Sequence, residues 1–136
     1  MFRVLVLDDS PERLEAFAKS WAGCQLRRVS TSKDARIALL DEEPFDLVCL
    51  DHDLGESRDG VDPGDGMEVA QFIARDMRGK IPRWVLVHSS NVPAAGRMFD
   101  VLDDAMISVV LRYPYSTRML KDLSGWIVRM SGIPRD

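Results

Sequence analysis

Five short apolar runs, each followed by a stretch with helical spacing, constrain this chain more than any other feature. The runs are Phe2–Leu7, Gln25–Val29, Asp46–Leu50, Trp84–Val87 and Ile107–Arg112. Each is too short for a helix and most are rich in Val and Leu, the mark of buried strands. Gln25–Val29 is more polar and belongs at an edge. Between them come helical patterns. Leu14, Phe17, Ala18 and Trp21 recur after Ser10-Pro11 and stop at Gly23; Ala35, Ala38 and Leu39 follow Thr31 and Ser32. Val69, Ala70 and Ile73 mark a helix over Gly66–Met77. Two more run from Pro93 to about Ala105 and from a Ser116 cap to Met130. Ser10, Thr31 and Ser116 are helix-capping residue types, and Pro11 suits a first helical position. Strict alternation of this kind predicts an α/β fold: a doubly wound, five-stranded parallel sheet with right-handed crossovers and helices on both faces. The strand order considered is 2-1-3-4-5. Residues 1–136 read as a single domain, with a frayed tail from about Ser131 to Asp136.

Composition narrows the partners. The net charge is -4, from 18 Lys+Arg against 22 Asp+Glu, so a broad duplex-DNA-binding face is not expected. No apolar run reaches membrane-spanning length, and the first residues lack an export signal. Cys24 and Cys49 have no metal-like spacing, and in the order 2-1-3-4-5 they do not pair. Free thiols and the missing signal predict a reducing, cytoplasmic setting. The methionines and tryptophans mostly fit core positions.

In open parallel sheets, ligands bind beyond the carboxyl ends of the strands. Strand one delivers Asp8 and Asp9 there, and strand three delivers Asp51, His52 and Asp53. Strand four delivers His88, Ser89, Ser90 and Asn91, and strand five delivers Arg112 and Tyr113. Clustered carboxylates repel and raise one another's pKa unless a cation joins them. A divalent ion, Mg²⁺ or Mn²⁺, on Asp8, Asp9, Asp51 and Asp53 is the natural partner. The Gly- and Asp-rich connection from His52 to about Pro63 reads as a lid or specificity element.

These residues carry a resemblance. Leu7-Asp8-Asp9, Asp51 at the end of "DLVCLD", Asp65-Gly66 and Tyr113-Pro114-Tyr115 resemble the receiver domains of response regulators. The resemblance implies the receiver-like (flavodoxin-like) fold. It also implies an acidic metal pair at Asp8 and Asp9, a phosphoacceptor at Asp51, a metal-binding carbonyl at Asp53 and a commonly cis peptide before Pro114. Departures are equally marked. Tyr113 stands where the family has lysine, His88 lies at or beside its Ser/Thr position, and the connection after Asp51 is longer than usual.

"LDDSPER", "DHDLG" and "HSSNVPAAGRM" together resemble a narrower group, the cyclic-phosphate-processing receiver domains. That resemblance implies sensing or processing of cyclic nucleotide phosphates, such as those on RNA ends. Opening a cyclic phosphodiester needs a base, an acid and charge neutralisation. Asp51, His52 and His88 are the candidate catalytic residues, the histidines because they titrate near neutral pH. Ser89, Ser90, Asn91 and Arg97 are candidate phosphate-binding residues, helped by the free N–H groups of the helix that follows strand four. Two other readings remain open at this stage: a phosphoreceiver acting through a partner after modification at Asp51, and an interaction module without chemistry. Monomer and homodimer are both compatible with the sequence.

Overall fold

The computed structural model describes residues 1–133 apart from 58 and 78; the side chains of 109–111 also lie outside the description. Strands β1 (Arg3–Leu7), β2 (Gln25–Val29), β3 (Leu47–Leu50), β4 (Trp84–Val87) and β5 (Val109–Arg112) alternate with five helices. These are α1 (Pro11–Ser20), α2 (Ser32–Asp41), α3 (Gly66–Arg75), α4 (Val92–Asp104) and α5 (Thr117–Ser131). All strand pairings are parallel, in the order β2-β1-β3-β4-β5. The polar run Gln25–Val29 is an outer strand, and it leaves Gln25, Arg27 and Arg28 exposed.

Two layers of core explain the apolar runs. Side chains alternate across a strand. Leu5, Leu7, Val48, Leu50, Val85 and Val87 therefore enter one cluster with Ala35, Leu39, Ile73, Met98 and Leu102 from α2, α3 and α4. Val4, Val6, Leu47, Cys49 and Leu86 enter the other, with Phe17 from α1, Trp21 at its C-cap, and Met119, Leu123 and Ile127 from α5. Each fully buried side chain of this size contributes about 1.5–3 kcal/mol by leaving water. Trp21 also satisfies its indole N–H, which donates to the Leu120 carbonyl at 3.0 Å and ties α1 to α5.

Helix starts follow the capping residues. Oxygens of Ser10, Thr31, Asp65, Asn91 and Ser116 accept from the N–H groups of Arg13, Asp34, Glu68, Ala94 and Met119. Each such cap contributes about 1 kcal/mol. At α3 the bond is reciprocated, since Glu68 accepts from the Asp65 N–H at 2.9 Å.

Several boundaries differ from those read in the sequence. Strand β3 begins at Leu47; Asp46, just before it, still donates its N–H to the Arg3 carbonyl at 2.9 Å, and its side chain accepts from the Arg3 N–H at 2.8 Å. The third helix closes at Arg75, not Met77, and Asn91 caps the fourth so that it starts at Val92. The last helix includes Ser131 and is capped by Gly132, so the tail begins later than expected; residues 134–136 lie outside the described part. The peptide before Pro114 is trans, as are all peptides among the described residues, against the expectation drawn from the receiver turn. Cys24 and Cys49 are free thiols. Cys24 lies just before β2, not in a strand. No helix among the described residues is long and apolar enough to cross a membrane.

Candidate functional site

The sheet register aligns the site. Leu7 pairs with Leu50, and Leu50 with Val87. The next residues, Asp8, Asp51 and His88, therefore stand abreast just past the ladder. The pairing carries on as Asp51 N–H donates to the Leu7 carbonyl and His88 N–H to the Leu50 carbonyl, each at 3.0 Å. Alternation sends all three side chains to the α1/α5 face, opposite to Leu7, Leu50 and Val87. One ligand atom from each lies within 4.8 Å of the others, and all three residues are buried.

Contacts within this group are specific. The His88 Nε2–H donates to Asp8 Oδ2 at 3.0 Å, with both side chains fully buried. That tautomer is assigned from the partner. Phe17 meets the imidazole edge-to-face at 5.3 Å and shields it. His88 Nδ1 is buried with no hydrogen-bond partner among the described residues. Asp8 Oδ1 accepts from the Ser10 N–H at 2.9 Å, and Asp51 Oδ1 from the His52 N–H at 2.9 Å. Burial pushes the Asp51 carboxyl above its ordinary range, and Asp8 adds to that rise; the charges of His88 and Arg13 oppose it.

Gly66 sets how closely α3 approaches Asp51. Its N–H donates to the His52 carbonyl at 3.0 Å, and a Cβ there would fall 1.8 Å from the Asp51 carbonyl oxygen. Only glycine permits that contact.

The other expected residues scatter around this centre. Asp9, one residue on, turns to the opposite side and faces Gly55: a Cβ at 55 would lie 3.0 Å from Asp9 Oδ2. Asp53 is exposed and meets His52 Nδ1 at 2.7 Å and Asn91 Nδ2 at 3.3 Å. The His52 hydrogen bond holds the Asp53 carboxyl below its ordinary range. His52 also lies 3.9 Å from Asp65 Oδ2. Its ring thus belongs to the base of the long connection. Asn91 is engaged in capping and in Asp53. Ser89 is buried and accepts from the Asn91 N–H at 3.1 Å. Ser90 and Arg97 are exposed.

One contributor was missed. Arg13 reaches back from the first turn of α1 and places NH1 3.8 Å from Asp8 Oδ2. Its guanidinium stacks on Tyr115, 4.7 Å from the ring centroid. The signal was the helical spacing of "DDSPER", which returns residue 13 to the strand end that its helix leaves. Tyr113 turns away instead: its hydroxyl donates to Asp122 on α5 at 2.8 Å, which raises its pKa. Arg112 lies on the opposite face, over the Phe99 ring at 5.3 Å, as alternation predicts. A larger cavity of about 650 Å³ opens at the other pole, between Trp21, Cys24, Arg83 and Ile133, and contains none of the expected site residues.

No curated protein matches the chain. Among solved structures, the receiver domain of a CheY-like response regulator from Methanospirillum hungatei JF-1 superposes with a TM-score of 0.63 at 15% identity, covering 97% of this chain and 98% of that one. A sensor protein from Polaromonas sp. JS666 gives 0.66 at 18% identity, covering 94% and 96%. The phosphorylated cyanobacterial phytochrome response regulator RcpA gives 0.66 at 17%, covering 95% and 92%. At such identities the likeness establishes the receiver fold. The sequence itself matches the family described as "Cyclic-phosphate processing Receiver domain" over residues 3–104. With a receiver fold, an aligned Asp8–Asp51–His88 group and that match over most of its length, the chain belongs to the cyclic-phosphate processing receiver domain family.

Proposed function

We propose that the domain binds a cyclic nucleotide phosphate, free or at an RNA end, at the strand-end pole of Asp8, Asp51 and His88, and opens it by hydrolysis. The observation that carries this reading is the buried His88–Asp8 pair beside Asp51. A histidine at the centre of an acidic receiver site supplies a proton donor and acceptor that phosphoacceptor chemistry does not need. Asp8 orients the imidazole, as carboxylates commonly do for working histidines. Arg13 supplies positive charge for the phosphate oxygens, held in place by Tyr115.

The donor set suits a divalent cation. The buried Asp8 and Asp51 carboxylates would hold it, while the His88 Nε2–H stays on Asp8; Asp9 and Asp53 would not share directly. Such an oxygen shell suits Mg²⁺ or Mn²⁺. Such an ion supplies Lewis-acid polarisation of the phosphate or of water. His52, paired with Asp53 and next to Asp65, acts by fixing the base of the long connection, so His88 is the acid–base residue of choice.

Incubation with 2′,3′-cyclic and 3′,5′-cyclic nucleotides and with RNA bearing a terminal cyclic phosphate, each with Mg²⁺ or Mn²⁺, tests the proposal. Ring opening that is lost in His88→Asn and Asp51→Asn supports it. Absence of both binding and turnover across the panel overturns it.

A second reading has its own support. Asp51 ends the central strand beside Asp8, where a receiver carries its phosphoacceptor. In this reading acetyl phosphate modifies Asp51, and a separate partner reads the change. The orientation of Tyr113 toward Asp122 disfavours it, because no lysine then neutralises the acyl phosphate.

A further inference from the structure

Beside the strand-end pole runs a second opening. It lies between the long connection after β3 and the segments that lead into α1 and α2, with a volume of about 300 Å³. That is at the lower end for small-molecule pockets. Pro11, Leu14, Leu54 and Val61 supply apolar walls, while Asp9 and Glu56 bring carboxylates to it. Val61 is a loop residue left 61% exposed, whereas Leu54 is buried and fixes the inner wall. Gly55, with φ at +80°, allows the loop to pass close to the Asp9 carboxylate. Ser32, next to a lining residue and donating its N–H to the Pro63 carbonyl, has a buried hydroxyl without a hydrogen-bond partner among the described residues.

We infer that this cleft seats the nucleobase of the cyclic nucleotide, and that Asp9 and Glu56 select guanine. The inference rests on the cyclic-phosphate reading above and extends it to the identity of the base. Asp9 lines the cleft and directly follows Asp8 in the chain, so the cleft opens next to the strand-end pole and within reach of the rest of a ligand held there. Apolar walls accept a planar ring and are a poor shell for a hydrated cation. Ionised carboxylates only accept hydrogen bonds. A base recognised there must therefore offer N–H donors together, and guanine does so with its ring N–H and exocyclic amino group. Uracil offers one ring N–H, and cytosine and adenine offer an amino group beside a ring acceptor that a carboxylate would repel. The long connection thus gains a role: it builds the wall that a receiver with a shorter connection lacks.

The test compares binding of the four 2′,3′-cyclic nucleoside monophosphates and of a base-free ribose 2′,3′-cyclic phosphate to the intact protein by calorimetry. Guanosine is expected to bind at least about tenfold more tightly than the other three, equivalent to 1.4 kcal/mol. Glu56→Gln, at an exposed loop position, is expected to reduce that preference severalfold and leave the base-free compound unaffected. Asp9→Asn, checked for folding by circular dichroism, is expected to do the same. Equal binding of all four bases, or a preference untouched by both substitutions, overturns the guanine assignment and leaves the cyclic-phosphate site standing. Binding of the base-free compound as tightly as the guanosine compound overturns the base cleft altogether. Failure of every compound to bind overturns both readings.

Discussion

His88 and Asp8, 80 residues apart in sequence, meet at 3.0 Å in a fully buried hydrogen bond at the carboxyl ends of β4 and β1. A buried carboxylate is costly unless paired. The pair therefore stabilises the fold through mutual satisfaction while leaving His88 Nδ1 uncommitted. Replacing His88 with Ala removes one partner of Asp8 and leaves it the Ser10 N–H and Arg13. The expected loss is about 2 kcal/mol, the usual cost of leaving a buried hydrogen-bonding group without one of its partners. Urea denaturation measures it. The double variant Asp8→Asn/His88→Ala is expected to recover part of the loss, because an amide is less costly to bury than a carboxylate short of a partner.

Asp51 gives the domain a definite pH response. Its carboxyl is raised above the ordinary value chiefly by burial, so the folded state binds that proton more tightly than the unfolded chain does. The associated stability is fully present at pH below the unfolded-chain value. It fades as pH rises through the folded-state value, leaving ionised Asp51 as a penalty near neutrality. Asp51→Asn is accordingly expected to raise the thermal midpoint by a few degrees at pH 7, with the gain shrinking toward pH 3. Mn²⁺ is expected to stabilise the wild type at pH 7 and not Asp51→Asn. That effect weakens on acidification at a higher pH than an ordinary carboxylate would give.

Gly66 predicts a steric result. A Cβ 1.8 Å from the Asp51 carbonyl oxygen cannot be absorbed by a rotamer change, because both partners are backbone. Gly66→Ala is expected to destabilise the domain by at least about 2 kcal/mol, as overpacking does. It should also weaken cyclic-nucleotide binding by displacing Asp51. Chemical denaturation and calorimetry on the same preparation check both effects.

Arg13 and Tyr113 separate the two functional readings. Arg13→Ala is expected to weaken cyclic-phosphate binding about tenfold, roughly the value of one charge-assisted contact, with Arg13→Lys intermediate. Tyr113→Lys places a cation where receivers carry one. Labelling of Asp51 by acetyl phosphate is expected to be slow in the wild type and faster in this variant. Rapid labelling of the wild type would favour the phosphoacceptor reading.

Much of this was legible in the sequence because strand ends are marked by abrupt changes from apolar to acidic residues. "VLVLDD" and "DLVCLD" put Asp8 and Asp51 at one pole, and "WVLVH" put His88 there. The pairings of the acids were read less well. Consecutive residues point to opposite faces, so Asp9 left the group of Asp8, and His52 and Asp53 turned to each other and to α3 and α4. The same parity that moved Asp9 out brought His88 in among the metal-ligating candidates. Asn91, read as a phosphate donor, caps α4 with its oxygen and turns its amide N–H₂ to Asp53. Arg13 was hidden because its role depends on a Tyr115 ring about a hundred residues away in sequence.

The most direct measurement is phosphorus NMR of a 2′,3′-cyclic nucleotide with the protein and Mn²⁺. The paramagnetic ion broadens the resonance of any phosphorus held close to it. Strong broadening at substoichiometric protein, followed by replacement of the cyclic signal by that of a monoester, is the predicted result. Both effects are expected to vanish in Asp51→Asn, with broadening retained and ring opening lost in His88→Gln. A sharp cyclic signal, the same with and without protein and unchanged over time, would contradict the account.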